Sequence, residues 1–387
     1  MVTTSRKITA WVFIVMVLSL GVLSLQSLGD YRPEADKAER LNPVTGELAR
    51  DLESHYDEGF PVRELGTNLW AAINYTLFGE GRPGVTVGEQ GWLFTDEELY
   101  LGAESPAVID RNLKRVQAVA AHLQAEGVPV ALLVVPAKAR LYSDKLEDQQ
   151  PVPAMRSAYR RFLDQMQPAP VLAPDLLPSL AEARARGTQV FLRTDTHWTP
   201  AGADAFADAA AGEIRQAFDG QSWGEDQFKT ALGKTRTHEG DLLTYLPLEP
   251  LFPELGPKHE QLTERSTEPV SDGGTSADSL FAETTADVVL VGTSYSANPL
   301  WDFPGALKRH LGRDLINVAD EGHGPFQPMT EYLRSDEFRD HPPELVIWEF
   351  PERYLAQPVQ SEATLAWFER REHLLARGNR QGRPSIQ

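Results

Sequence analysis

Val288-Val289-Leu290-Val291-Gly292-Thr293-Ser294-Tyr295-Ser296 is the stretch that decides how this chain is read. Its apolar run has no polar alternation, which describes a strand covered on both faces, as in a parallel sheet. Gly292 lets the chain turn sharply where the strand over 287–291 ends, and a hydroxyl then emerges at the sheet's rim. Ser294 is preferred to Ser296 as a nucleophile because such a residue sits immediately after the strand. Read alone, Ser294 fits equally well as the cap of a helix beginning near Pro299.

Outward from this strand the hydrophobic period alternates. Residues 111–126 predict a helix with Leu113, Val116, Val119, Ala120 and Leu123 on one face and Gly127 as its stop; 128–135 then predicts a fully buried strand. Further strands are expected at 190–193, 315–318 and 345–350, and helices at 154–167, 201–218, 299–311 and 327–333. The fold class is therefore α/β, a parallel sheet with helices on both faces. A hairpin is expected over 85–94, and Leu69, Trp70, Ile73 and Leu77 mark an amphipathic helix covering the body. The polar segment at about 220–283 reads as an insertion between core units.

Ligands of open parallel sheets bind at the carboxyl ends of the strands, so those ends hold the candidates for chemistry. In Thr194-Asp195-Thr196-His197-Trp198-Thr199-Pro200, residues two apart point the same way in extended chain, which sets Asp195 beside His197 before Pro200 opens a helix. A carboxylate beside an imidazole is the orienter and base that acyl transfer needs, and Ser294 would be the nucleophile. The plainer alternative makes Asp195 a helix cap and His197 a satisfied polar residue. No H-x-H or H-E-x-x-H motif accompanies the pair, so neither a metal nor a cofactor is expected. The Ser294 amide and the loop glycines Gly322 and Gly324 are candidate oxyanion donors. Lys138, Arg140, Arg193 and Arg353 are candidates for a basic substrate rim, with Arg353 equally suited to pairing with Glu349 or Glu352.

The N-terminus speaks to location. Residues 8–25 are uncharged and mostly apolar and follow Arg6 and Lys7, which orients the body outward across a membrane. The length of the run favours an uncleaved signal-anchor over a cleaved signal peptide, and Ser27-Leu28-Gly29 is a mediocre cleavage match. The expected organisation is an anchor at 1–29, a tether at 30–55, the catalytic domain at 56–360 and a tail at 361–387. With 56 Asp and Glu against 37 Lys and Arg, the net charge of −19 excludes nucleic acid as a partner. The absence of cysteine excludes a disulfide framework, a thiol nucleophile and thiolate metal sites.

With Gly292-Thr293-Ser294 and Asp195-Thr196-His197 in hand, the chain resembles the SGNH-hydrolase-like domain of the alginate O-acetyltransferases, in its permuted arrangement with Asp-x-His ahead of the serine. The resemblance runs over about residues 55–355. It includes Phe60-Pro61-Val62-Arg63, Leu69-Trp70, Leu77-Phe78-Gly79-Glu80-Gly81, Gly91-Trp92-Leu93-Phe94, 193–200 and 347–354. It implies a periplasmic enzyme held at the inner membrane that helps acetylate alginate at mannuronate O-2 and O-3. Its implied partners are a membrane acyl-transfer protein of the AlgI type, periplasmic proteins of the AlgF and AlgX types, and a polysaccharide or acetyl-donor protein as substrate. With about 30 residues following Tyr354, the C-terminal carbohydrate-binding module of some relatives is not expected. The Gly-x-Asn-Asp block of ordinary SGNH enzymes is missing, and 348–354 takes its place. A carbohydrate acetylesterase and a non-catalytic subunit of an acetylation complex are the alternatives.

Overall fold

The computed structural model describes residues 2–29, 31–32, 44–60, 62–100, 105–146, 149–166, 171–270 and 287–381. They fall into two compact units, one of 1–80 with 246–256 and one of 81–245 with 257–387.

The first unit contains helix α1 (Val2–Gly29), α2 (Glu47–Glu58) and α3 (Arg63–Ile73). Within α1 the 18 residues Lys7–Ser24 have a mean hydropathy of 2.0, long and apolar enough to cross a membrane. Helix α3 runs into a π-turn at Asn74–Phe78 that Gly79 ends, and Asn68 Nδ2 donates to the Pro247 carbonyl at 2.7 Å. Leu69, Trp70 and Leu77, expected on a buried face, are exposed.

The second unit is built on a four-stranded parallel sheet in the order β3 (Val130–Val135), β8 (Leu345–Pro351), β6 (Val288–Val291), β7 (Ile316–Asn317). Side chains alternate across it. Ala131, Leu133, Leu290 and Ile347 enter one core with residues of α6 (Leu177–Ala185), α7 (Pro200–Ala217) and α8 (Phe303–Leu311). Val130, Leu132, Val289, Val346 and Trp348 enter the other, against α4 (Ser105–Ala125), α5 (Pro153–Met166) and α9 (Phe326–Tyr332). This two-faced burial is why the strands lack polar alternation. The hairpin forms as β1 (Val85–Val87) and β2 (Leu93–Thr95).

Two expectations are corrected and a third gains detail. Residues 190–193 do not join the parallel sheet: the segment folds back on itself, with Thr199 N donating to the Val190 carbonyl and Leu192 N to that of His197, leaving one antiparallel bridge, Phe191 to Trp198. The polar 220–283 segment, expected as an insertion between core units, has secondary structure of its own. It carries the antiparallel ribbon β4 (Phe228–His238) and β5 (Glu260–Pro269), while 271–286 lies outside the described residues. The stretch from 361 onward is not merely a tail, because α10 (Glu362–Gln381) buries Thr364, Trp367 and Phe368 in the second core.

Candidate active site

The fold-back loop at 190–199 presents Asp195 and His197 on one side. Asp195 Oδ1 accepts from the His197 backbone N–H at 2.8 Å and stands 2.7 Å from His197 Nδ1. Its Oδ2 accepts from His238 Nε2 at 2.7 Å and from the Asp241 N–H at 3.2 Å. Burial alone raises the Asp195 pKa, but the hydrogen bonds from His197 and His238 outweigh it and hold the carboxyl far below the ordinary range. An ionised carboxylate only accepts, so His197 carries its proton on Nδ1 and turns a lone pair on Nε2 outward. That nitrogen lies 2.7 Å from Ser294 Oγ. Asp195 does not cap α7: Thr199 does, its hydroxyl accepting from Gly202 N at 2.9 Å with Pro200 in the first turn of the helix.

Ser294 opens a single helical turn, Ser294–Ala297, directly after β6. Its alternative role as a distant cap fails, since α8 starts at Phe303 behind Asp302. Glu349, in the middle of β8 and fully buried, braces the turn from the neighbouring strand. It accepts from Thr293 N at 3.0 Å, Thr293 Oγ1 at 3.1 Å and Ser296 Oγ at 2.7 Å. Burial pushes its pKa up to about 7 against the pull of those bonds. A Cβ on Gly292 would come within 2.6 Å of Glu349 Oε2, so the turn requires glycine. Ser296 is thereby tied down and buried, whereas Ser294 and His197 keep partial exposure. Trp301 stacks on the His197 ring at 5.2 Å, and Tyr295 lies 4.7 Å away on that ring.

The expected basic rim is largely internal. Lys138 is not available to substrate: it is 1% exposed, and its ammonium donates to the carbonyls of Leu93 at 2.5 Å, Asp195 at 2.9 Å and Arg193 at 3.0 Å. All three protons are used, and burial lowers its pKa to about 8. Arg353 is also buried; it donates to Tyr295 Oη at 3.0 Å and lies 3.2 Å from Glu97, not paired with Glu349 or Glu352. Glu352 pairs with Arg140 instead. Arg193 remains partly exposed, 3.8 Å from Glu260. Gly322 adopts a left-handed φ of 78° and lines a cavity of about 320 Å³ with Glu97, Gln327 and Tyr354, in a loop whose Asp320 N donates to the Gly292 carbonyl at 3.2 Å.

Asp195, His197 and Asp241 bring possible ligand atoms within 4.8 Å of one another. Each has a hydrogen-bond partner already, Asp241 accepting from Thr196 N at 2.8 Å and Thr196 Oγ1 at 2.5 Å. Asp241 and His238 escaped the sequence reading because they lie in the segment taken for an insertion. The available signal was Gly240 in His238-Glu239-Gly240-Asp241, where a Cβ would stand 2.1 Å from the Thr194 carbonyl and which therefore marks a close approach to the Asp195 loop.

A helix-flanked parallel sheet that delivers a serine from a strand end to an imidazole backed by a carboxylate defines an SGNH-hydrolase-like α/β domain. Residues 85–352 match the family described as "SGNH hydrolase-like domain, acetyltransferase AlgX". The chain belongs to this family, and its activity is that of an O-acetyltransferase. It is 47% identical to "Probable alginate O-acetylase AlgJ" of Pseudomonas aeruginosa over 355 residues, covering 90% of this chain and 88% of that one. The protein so described in Pseudomonas syringae is 45% identical, with 89% and 86% covered. The solved O-acetyltransferase domain of Pseudomonas putida AlgJ superposes with a TM-score of 0.65 at 42% identity, covering 72% of this chain and 94% of that domain.

Proposed function

We propose that this enzyme acetylates alginate through a Ser294–His197–Asp195 triad. The single observation that carries the mechanism is the contact of Ser294 Oγ with His197 Nε2 at 2.7 Å while Asp195 holds Nδ1 at 2.7 Å. His197 takes the Ser294 proton as Oγ attacks the carbonyl carbon of an acetyl donor, and the oxyanion collapses to expel the donor's leaving group, which receives that proton. A sugar hydroxyl then gives its proton to His197, attacks acetyl-Ser294, and leaves as the acetyl ester while the proton returns to Ser294. The likeness to proteins described as alginate O-acetylases supports alginate as the acceptor, with mannuronate O-2 or O-3 as the positions the family resemblance implies. Arg6 and Lys7 ahead of the apolar span favour a periplasmic body anchored to the inner membrane.

One observation favours a second reading, relay of acetyl to a partner protein. Lys138 and Arg353 are buried and Arg140 is engaged by Glu352, which leaves Arg193 as the one partly exposed, lightly engaged member of the expected basic rim on a chain of net charge −19, a weak grip for a polyuronate. The test is Ser294→Ala in the purified full chain, with acetate release from a chromogenic acetyl ester and mass spectrometry of the peptide carrying residue 294. A loss of at least about a thousandfold, with the acetyl adduct gone, is expected. Activity at the wild-type level would refute the triad. Oligomannuronate added to the unaltered enzyme separates direct transfer from relay or hydrolysis by whether acetyl appears on the sugar.

A further inference from the structure

Asp195 faces two imidazoles. Its Oδ1 is bound by His197 and its Oδ2 by His238, whose Nε2 must be the donor because the carboxylate only accepts. His238 is the last residue of β4, opposite Glu260 of β5, so the ribbon delivers it to the loop. Trp301 contacts both rings, stacked on His197 and edge-on to His238 at 5.7 Å and 84°. The imidazole planes are thus set by one buried indole.

We propose that His238 is a positioning residue for acyl transfer, fixing the Asp195 carboxylate through Oδ2 so that Oδ1 stays on His197 Nδ1. The proposal rests on the triad reading above. Asp195 is only 2% exposed, so water is a poor substitute at Oδ2. Without His238 that oxygen keeps only the longer bond from Asp241 N, and the carboxylate is free to turn from His197.

A second consequence concerns charge. The groups facing His238 are Asp195, Glu260 and Asp241, and its bond to Asp195 is the largest influence, raising its pKa above the ordinary histidine value. His197 and the Lys138 ammonium share the same carboxylate neighbourhood. Neutral His238 with its proton on Nε2 holds Oδ2 without drawing charge from it. Protonated His238 competes with His197 for the negative charge of Asp195, which weakens His197 as a base. The acid limb of the rate profile therefore contains two ionisations, and activity rises as His238 loses its proton.

The experiment compares His238→Phe and His238→Gln in the full chain, measuring kcat and KM for a chromogenic acetyl ester from about pH 5 to 9. Phe removes the donor; Gln retains an N–H near the Nε2 position and cannot titrate. Phe is expected to lower kcat about tenfold with KM within about twofold, and Gln to recover kcat to within about threefold of the parent. The Gln profile keeps one acid-side ionisation where the parent has two. If Phe unfolds the protein, as thermal melting would reveal, the Gln profile alone decides. The proposal is overturned by Phe acting within twofold of the parent on an unchanged profile, by Gln as impaired as Phe, or by a Gln profile identical to the parent's. Full activity of Ser294→Ala would instead remove the triad itself, so the two failures are distinguishable.

Discussion

Glu349→Gln separates a buried charge from the hydrogen bonds it makes. Glu349 is fully enclosed, and its pKa rises from the ordinary 4.5 to about 7, chiefly because burial penalises the carboxylate. Between those values the folded protein keeps the proton that the unfolded chain has lost. The unfolded state then binds fewer protons, so stability falls as pH rises through this window. At about 1.4 kcal/mol per pH unit, a gap of about 2.5 units removes about 3 kcal/mol. Glutamine does not titrate. Its carbonyl can accept from Thr293 N and Ser296 Oγ while its amide donates to Thr293 Oγ1, reproducing the protonated acid at a cost of about 1 kcal/mol. The assay is urea unfolding of wild type and variant, followed by tryptophan fluorescence at a series of pH values. The variant's stability relative to wild type should climb by about 3 kcal/mol from pH 4 to pH 8, all other titrations cancelling in the difference. Parallel curves, with a difference constant to about 1 kcal/mol, would refute the assignment of a buried, late-titrating carboxyl beneath the serine turn.

Asp195→Asn is expected to lower kcat by about a thousandfold or more with little change in KM. Both carboxylate oxygens meet backbone donors that cannot reverse, His197 N and Asp241 N, so either amide orientation leaves one of them opposed by an NH2 group. Ester hydrolysis reports the effect, and a loss below about tenfold would exclude Asp195 as the orienting group. Lys138→Met should cost about 3–5 kcal/mol of stability, seen as a fall in Tm, because the carbonyls of Leu93, Arg193 and Asp195 lose their shared donor inside the protein. A loss under about 1 kcal/mol would return Lys138 to the list of substrate-facing cations.

Some of this architecture is written locally. The apolar runs of β6 and β8 and the one-faced helix α4 form as their periodicity predicts, since hydrophobic period and burial are properties of neighbouring residues. The Asp195-x-His197 pair likewise carries its own geometry, although as a bend in which the His197 N–H donates to Asp195 Oδ1 and not as the extended chain the spacing suggests. Even there local evidence misleads when the partner is wrong: 190–193 is apolar enough for a core strand, yet its Val190 carbonyl and Leu192 N–H bond its own return segment while the Val190 N–H and the Arg193 carbonyl go to Tyr142, Leu93 and Lys138. Whether a charge faces solvent or the interior is not a local property at all. Lys138 follows a strand end like a rim residue, but carbonyls from β2 and the 193–195 loop converge on it and take every proton it has. His238 sits in a polar ribbon with no hydrophobic signature, and only the folding of that ribbon onto the Asp195 loop gives its imidazole a carboxylate to hold. Periodicity can announce which faces are buried; the direction of fixed donors and acceptors across a site depends on which remote segments meet, and that is settled by packing.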